Sequence, residues 1–390
     1  MLNTMMNLLP AVLVGGPPNS GKSVLAYHLA QALYAQRVPC YLYRAAPDGE
    51  GNWFAQSNPA LARMLRLEAR GPWTERWVQL SCQHLADRRM PLIVDIGGRP
   101  RPDQLAMFDQ CTHAVVISRD EEARHTWLAL ARQHNLRLIA DLHSDLHGEP
   151  HIETTPPEAG RPLRATITGL DRTAPVLDAV FAAVVARVAK VVNLPGDTLR
   201  RVHMAAAPFD LDELPLVDFD VISQALHPTD PHHHFVPEDI PGVLAQIPTG
   251  VPIAVYGRVN VAMLAAVAQA RDIAWQFDVR LGWVQPPVIR LATDTNAEQH
   301  NAAIQLTRVA LATGRYRLDV ERLRPPLELH DTVGLVVPAV ERGSRVLLNK
   351  PFPLWLLTAL VKAYRGQAEV SAYQPQWAEG KETDLRLPAK

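Results

Sequence analysis

Two glycines, a lysine and a serine at fixed spacing could do the most specific chemistry in this chain: Gly16-Pro17-Pro18-Asn19-Ser20-Gly21-Lys22-Ser23, directly after the apolar run Val12-Leu13-Val14. The spacing G-x-x-x-x-G-K-S is that of a phosphate-binding P-loop. Small residues are needed because successive backbone N–H groups must turn inward around a phosphate, and the following helix must aim its positive end at it. On this reading Gly16 to Val24 cradle a nucleotide, ATP or GTP. Lys22 reaches the β- and γ-phosphates as the catalytic cation, and the Ser23 hydroxyl ligates Mg²⁺.

The second part of such a site is an aspartate closing a buried strand, and Pro91-Leu-Ile-Val-Asp95 supplies it. Asp95 is expected to hold the Mg²⁺ directly or through a water. Ile96 and Gly97 stand where many ATP-hydrolysing motors carry a glutamate that polarises water, which argues against a motor. Asp48 and Glu50 lie beyond the end of the strand Pro39–Tyr43 and could orient a water or an acceptor hydroxyl, or belong to a solvated loop. Arg44 could contact a phosphate, and Arg119 and Arg124 could stabilise a transferred phosphoryl group or simply lie on the surface.

The elements that must position these groups follow from periodicity. Strands are expected at Val12–Val14, Pro39–Tyr43, Pro91–Asp95, Ala114–Ser118, Leu136–Ala140 and Leu163–Thr168. Helices are expected over Lys22–Gln36, Pro59–Glu68, Trp73–Arg89, Asp120–Asn135 and Val176–Val192, where apolar residues recur at helical spacing. Strands alternating with helices after a P-loop predict an α/β fold, a parallel sheet with helices on both faces.

At 390 residues the chain suggests two or three domains. The formal net charge of −1 gives no basic excess for gripping long nucleic acid, although a local pocket for a short oligonucleotide remains compatible. Cys40, Cys82 and Cys111 are far apart and read as reduced core thiols of a cytoplasmic protein. The apolar start Leu8–Val14 feeds straight into the loop as a core strand, not a signal peptide, and Ala174–Leu194 is broken by Asp178, Arg187 and Lys190, so no membrane partner is expected.

Beyond Asn193 two similar blocks follow a stretch dense in Pro, Asp and His. The first runs from Val251-Pro-Ile-Ala-Val-Tyr-Gly257-Arg258 through an apolar helix ending near Gln269 to Asp278-Val-Arg280-Leu-Gly282. The second runs from Ser344 through Pro353-Leu-Trp355-Leu and a helix carrying Lys362 to Tyr373-Gln-Pro375. Matching lead-ins, Phe235-Val-Pro-Glu-Asp-Ile-Pro and Leu323-Arg-Pro-Pro-Leu-Glu-Leu, precede them. The pattern is an internal duplication, giving a P-loop domain over 1–192 and two tandem small α+β domains over 193–296 and 297–390 that could pair as a pseudo-dimer. Trp275, Trp283, Trp355 and Trp377 fall at core spacing, with adenine stacking as the alternative.

The paired blocks resemble the small manganese-dependent ring nuclease family of type III CRISPR systems, through Gly257-Arg258 and Asp278-Val-Arg280-Leu-Gly282 in the first copy and Pro353-Leu-Trp355-Leu in the second. Members cleave cyclic oligoadenylate messengers, and some are fused to P-loop domains. The resemblance implies that a cyclic or short oligoadenylate is a partner, that Arg258, Asp278, Arg280 and Gly282 contact it, and that Asp278 could hold Mn²⁺. In the family two histidines complete the metal set. Here those positions fall on Gln269 and near Ile289 in copy one, and copy two has Lys362, Gln374 and Gln376. Three functions follow: a nucleotide-driven protein that senses the messenger, a working ring nuclease completed by another subunit of a homo-oligomer or by the histidines around His232-His233-His234, or a small-molecule or nucleotide kinase.

Overall fold

The computed structural model describes residues 9–46, 74–98, 100–153, 161–170, 178–194, 197–230, 233–294, 296–324, 326–349 and 352–373. The expected helix over 59–68 and the residues Asp48, Glu50, His232, Gln374, Gln376 and Trp377 lie outside them. The chain is mixed α/β and forms two units: residues 1–206 with Val279–Leu281, and 207–278 with 282–390.

The first unit is built on a seven-stranded sheet. Its strands are β1 (Ala11–Gly15), β2 (Tyr41–Arg44), β3 (Leu92–Asp95), β4 (His113–Ser118), β5 (Arg137–Asp145), β6 (His151–Ile152) and β7 (Leu163–Thr168), in the order β2-β3-β1-β4-β5-β7-β6. All neighbours run parallel except β6, a two-residue edge strand antiparallel to β7 that the sequence pattern does not announce. Alternate residues of β1 enter different cores. Val12 and Val14 pack with Leu25, Leu29 and Leu33 of α1 (Lys22–Ala35) and with Val184 and Val188 of α4 (Ala179–Val192). Ala11 and Leu13 pack on the other face with Leu85 of α2 (Glu75–Ala86) and with Trp127 and Leu128 of α3 (Glu121–Gln133). A central parallel strand buried on both faces explains its unbroken apolar run. The helix starts are capped as their sequences require: Thr74, Asp120 and Asp178 accept from Trp77, Glu122 and Phe181 N–H. The first helix, α1, has no such cap.

The second unit carries the same order of elements twice. In the first copy β8 (Leu216–Asp218), β9 (Pro252–Tyr256) and β10 (Asp272–Asp278) are parallel neighbours, with α8 (Val261–Ala270) connecting β9 to β10. In the second, β15 (Arg315–Arg322), β17 (Ser344–Asn349) and β18 (Ala368–Ala372) are parallel neighbours, with α9 (Leu354–Tyr364) connecting the last two. Registers match as well, since Asp218 lies opposite Tyr256 and Asp319 opposite Asn349. Both lead-ins end in a short 3₁₀ turn closed by an aspartate: Asp239 accepts from Val236 N–H and Asp331 from Glu328 N–H, each at 2.8 Å. The copies differ at their edges. The first ends in the antiparallel strand β11 (Gly282–Val284), and the second is extended by the hairpin of β14 (Ile304–Ala312) with β15.

The stretch 208–252, with few helical periods in its sequence, nevertheless holds two short helices, α6 (Phe219–Leu226) and α7 (Ile240–Ala245). In α7 the proline at the helix start masks the periodicity, because Pro241 fits a first turn that needs no N–H donor.

Candidate functional site

The loop between β1 and α1 begins where β1 leaves the sheet between β3 and β4. The pairing of Val14 with Asp95 sets the carboxylate beside the loop. Ser23 Oγ donates to Asp95 Oδ1 at 3.3 Å, so the two groups expected to hold Mg²⁺ meet across 72 positions of sequence. Asp95 is 4 % exposed. Its other oxygen, Oδ2, accepts from Arg44 Nη1 at 2.7 Å. Arg44, read as a phosphate contact, is therefore turned onto the strand-end carboxylate: register places it directly opposite Asp95 on β2, and the ion pair offsets the cost of burying that charge.

The residues of the loop fit a phosphate on local grounds. Gly21 precedes α1 with φ 88° and Asn19 has φ 63°, left-handed conformations that turn N–H groups to one side. No side-chain cap hydrogen bond closes the start of α1, and no acidic residue sits in its first turn. Ser20 is buried and its hydroxyl has no partner. Lys22 and Ser23 are half-buried, and Pro18 and Asn19 are exposed.

Gly98, three residues beyond Asp95, belongs to this site. A Cβ there would come within 2.6 Å of the Pro18 nitrogen and 2.9 Å of Lys22 Nζ. The signal was present as the pair Gly97-Gly98 after the acidic strand. Ile96 is a core residue, 2 % exposed, and so packs into the sheet and presents nothing to water at the loop.

Arg119 is exposed. Arg124 is committed to structure: its Nε and Nη2 donate to the two oxygens of buried Asp141 at 2.7 and 2.5 Å, and Nη1 donates to Glu121. The bidentate bond to Asp141 drives its pKa upward. Its expected role at a transferred phosphoryl group is corrected to an ion pair joining α3 to β5. All three cysteines are free; Cys40 and Cys111 are buried, and burial pushes the Cys111 thiol up to about 12. Such a thiol is inert as a nucleophile at neutral pH.

In the second unit the residues assigned to a messenger lie just past or at the ends of the neighbouring parallel strands β9 and β10 and in the β10–β11 turn. Arg258 Nε donates to Asp220 Oδ1 at 3.3 Å, a contact absent from the sequence reading. Asp278 and Gly282 face each other across the β10–β11 turn, and Arg280, within that turn, groups with the first unit. Gln269 donates to the Ala368 carbonyl at 3.1 Å, and Lys362 donates to the Ile273 carbonyl at 2.9 Å while pairing with Asp272 at 2.8 Å. Each of these two helix positions thus reaches the other copy's strand. Ile289, near the remaining ligand position, is 5 % exposed and part of the core. Asp278 joins no cluster of three metal-ligating side chains among the described residues.

Trp355 is fully buried, as its spacing predicts. Trp275 and Trp283 are half-buried and flank Phe209, with ring centroids 5.6 and 4.9 Å away; Tyr256 and Phe277 extend the cluster. No described helix is long and apolar enough to cross a membrane. Comparison with protein-family models and with curated proteins gives no match.

Proposed function

We propose that the chain is a nucleoside-triphosphate-dependent phosphohydrolase or phosphotransferase, built as an N-terminal P-loop domain followed by two tandem ring-nuclease-like domains. The single observation that carries the reading is the meeting of Ser23 Oγ with Asp95 Oδ1 at 3.3 Å beside an uncapped helix start that also holds Lys22. When bound, Mg²⁺ supplies charge neutralisation at the β- and γ-phosphate oxygens. The chain's own groups do the rest. Backbone N–H donors between Gly16 and Val24 hold the phosphates, Lys22 adds a positive charge at the terminal one, and Ser23 with Asp95 Oδ1 fixes the cation's place. The core position of Ile96 favours transfer to an acceptor over activation of water.

The tandem domains, on this proposal, bind a cyclic or short oligoadenylate and are coupled reciprocally to the nucleotide site. Support comes from the motif resemblance, the repeated strand–strand–helix–strand order, and the half-buried aromatic cluster around Trp275 and Trp283, which offers faces for adenine stacking. The engagement of Gln269 and Lys362 in the contact between copies argues for binding without cleavage by the family's route.

Nucleotide binding, free phosphate and phosphoryl transfer should be measured on wild type, Lys22→Ala and Asp95→Asn, with Mg²⁺ and with or without cyclic tetra- and hexa-adenylate. Binding lost in Lys22→Ala, and turnover lost in both variants, is the expected result. Equal binding by wild type and Lys22→Ala would reject the nucleotide site. Adenylate cleavage would reject the binding-only role of the repeats.

A further inference from the structure

We propose that His227, His233 and Asp239 form a binding site for one divalent transition-metal ion of the zinc class in the second unit, separate from the Mg²⁺ site at the loop. These side chains are the one described cluster of three or more metal-ligating groups, with ligand atoms all within 4.8 Å of one another. His227 Nε2 lies 2.9 Å from Asp239 Oδ1 and His233 Nε2 lies 2.7 Å from Asp239 Oδ2. The two imidazoles stack with centroids 3.4 Å apart and planes 21° apart, so both present the same nitrogen to the same carboxylate.

The geometry is close to that of a loaded site. Zinc bonds of about 2.0–2.1 Å at tetrahedral angles separate ligand atoms by about 3.4 Å. Opening the observed gaps by about half an ångström would therefore admit the ion. Charge points the same way. One dication beside Asp239 serves both imidazole nitrogens and the carboxylate at once.

The frame is pre-formed. Backbone bonds run from Asp230 N–H to the His227 carbonyl and from His233 N–H to the Asp230 carbonyl, tying His227, Asp230 and His233 together. Asp230 Oδ2 lies 3.7 Å from His233 Nδ1, beyond direct hydrogen-bond reach but at the distance of an outer-sphere carboxylate. Phe235, buried and edge-on to His233, walls the site.

The second copy separates this site from ordinary capping. Asp331 closes the equivalent turn through the same backbone contact, so the cap needs only the aspartate. His227 and His233 are additions to a cap that both copies share. The run His232-His233-His234 is the visible signal in the sequence, but the ligand spacing is His227, His233, Asp239, every sixth residue.

Full-length protein stripped with chelator should be titrated with Zn²⁺ by calorimetry and with Co²⁺ by visible absorption. The panel is wild type, the double variant His227→Gln/His233→Gln, Asp230→Asn, His234→Gln and Lys22→Ala. The double variant keeps the Asp239 cap, so the unit should still fold, which far-UV circular dichroism checks. Wild type, His234→Gln and Lys22→Ala should bind one equivalent, with cobalt bands of a nitrogen and oxygen site and a Zn²⁺-dependent rise in Tm. Loss of outer-sphere partners costs about 10–100-fold in affinity, so Asp230→Asn should weaken binding about tenfold and the double variant at least about 100-fold. Absence of stoichiometric binding in wild type, full binding in the folded double variant, or a thiolate-to-cobalt band would each overturn the proposal.

Discussion

Gln269 and Lys362 stand at matching positions of the two repeat helices, and each donates a hydrogen bond to a backbone carbonyl of the opposite copy, at Ala368 and Ile273. Arg365 adds two further bonds from the second copy, to the carbonyls of Ala268 and Arg271. The duplicated unit therefore closes on itself within one chain, a pseudo-twofold pairing like that of an isologous dimer.

The first prediction tests that joining role. Lys362→Met removes a charged donor from the Ile273 carbonyl and an ion pair to Asp272, and should lower the stability of the second unit by about 1.5–3 kcal/mol. Gln269→Ala removes a neutral donor and should cost about 1 kcal/mol. Denaturant melts followed by the fluorescence of the tryptophans in that unit give both values. Wild-type midpoints in both variants would show that the contacts contribute nothing.

A second prediction concerns Arg44 and Asp95, where stability and metal affinity should move in opposite directions. Removing Arg44 leaves a buried carboxylate without its ion pair and should cost about 3 kcal/mol of folding stability. The same change frees Asp95 Oδ2 and strengthens the local negative charge, so the Mg²⁺-dependent rise in Tm should be larger in Arg44→Ala than in wild type. Thermal melts across a Mg²⁺ titration decide it. A smaller rise in the variant would mean that Arg44 orients Asp95 for the metal and does not compete with it.

Gly98 gives a third. Its Cα faces the Pro18 nitrogen and Lys22 Nζ so closely that any side chain must push the loop or the lysine away. Gly98→Ala should weaken nucleotide binding about tenfold or more while leaving the far-UV spectrum intact, since a small misplacement of a positioning group costs up to about 100-fold. Undiminished binding would show that Lys22 reaches the phosphates by another path.

These sites differ in how far the sequence reveals them, and the reasons are physical. The meeting of Ser23 with Asp95 is legible because its parts are local: Gly21, Lys22 and Ser23 are consecutive, and Asp95 ends a strand whose apolar run is unmistakable. The parallel sheet was legible from the same alternation of strands and helices, with boundaries moved by a few residues where caps such as Thr74 and Asp120 end the extended chain. Partnerships set by register were not. Arg44 against Asp95 and Arg124 against Asp141 depend on which strands and helices lie side by side, and spacing along one strand carries no such information. The same holds for Arg258 with Asp220 and for the crossing of Gln269 and Lys362. The short helix Phe219–Leu226 escaped because eight residues hold little more than two periods.

The last prediction is a pH dependence set by His203. The residue lies on the helix Thr198–Ala205, 3 % exposed, and its Nε2–H donates to the Arg89 carbonyl at 2.6 Å. Burial lowers its pKa from 6.5 to about 4, against the raising effect of that hydrogen bond, and the neighbouring Arg89 charge adds to the depression. The folded protein thus keeps the imidazole neutral where the unfolded chain takes up a proton. Unfolded chains bind more protons between pH 6.5 and 4, so stability from this residue is complete above about pH 6.5, falls as pH drops through that window, and is flat below about 4. The full swing is on the order of 3 kcal/mol. Denaturant melts of wild type and His203→Gln from pH 7.5 to 4.5 isolate it, since glutamine can donate to the same carbonyl without titrating. The difference in stability should shift steadily in favour of the variant as pH falls. A difference independent of pH would show that His203 takes up its proton in the folded state as readily as in the unfolded chain.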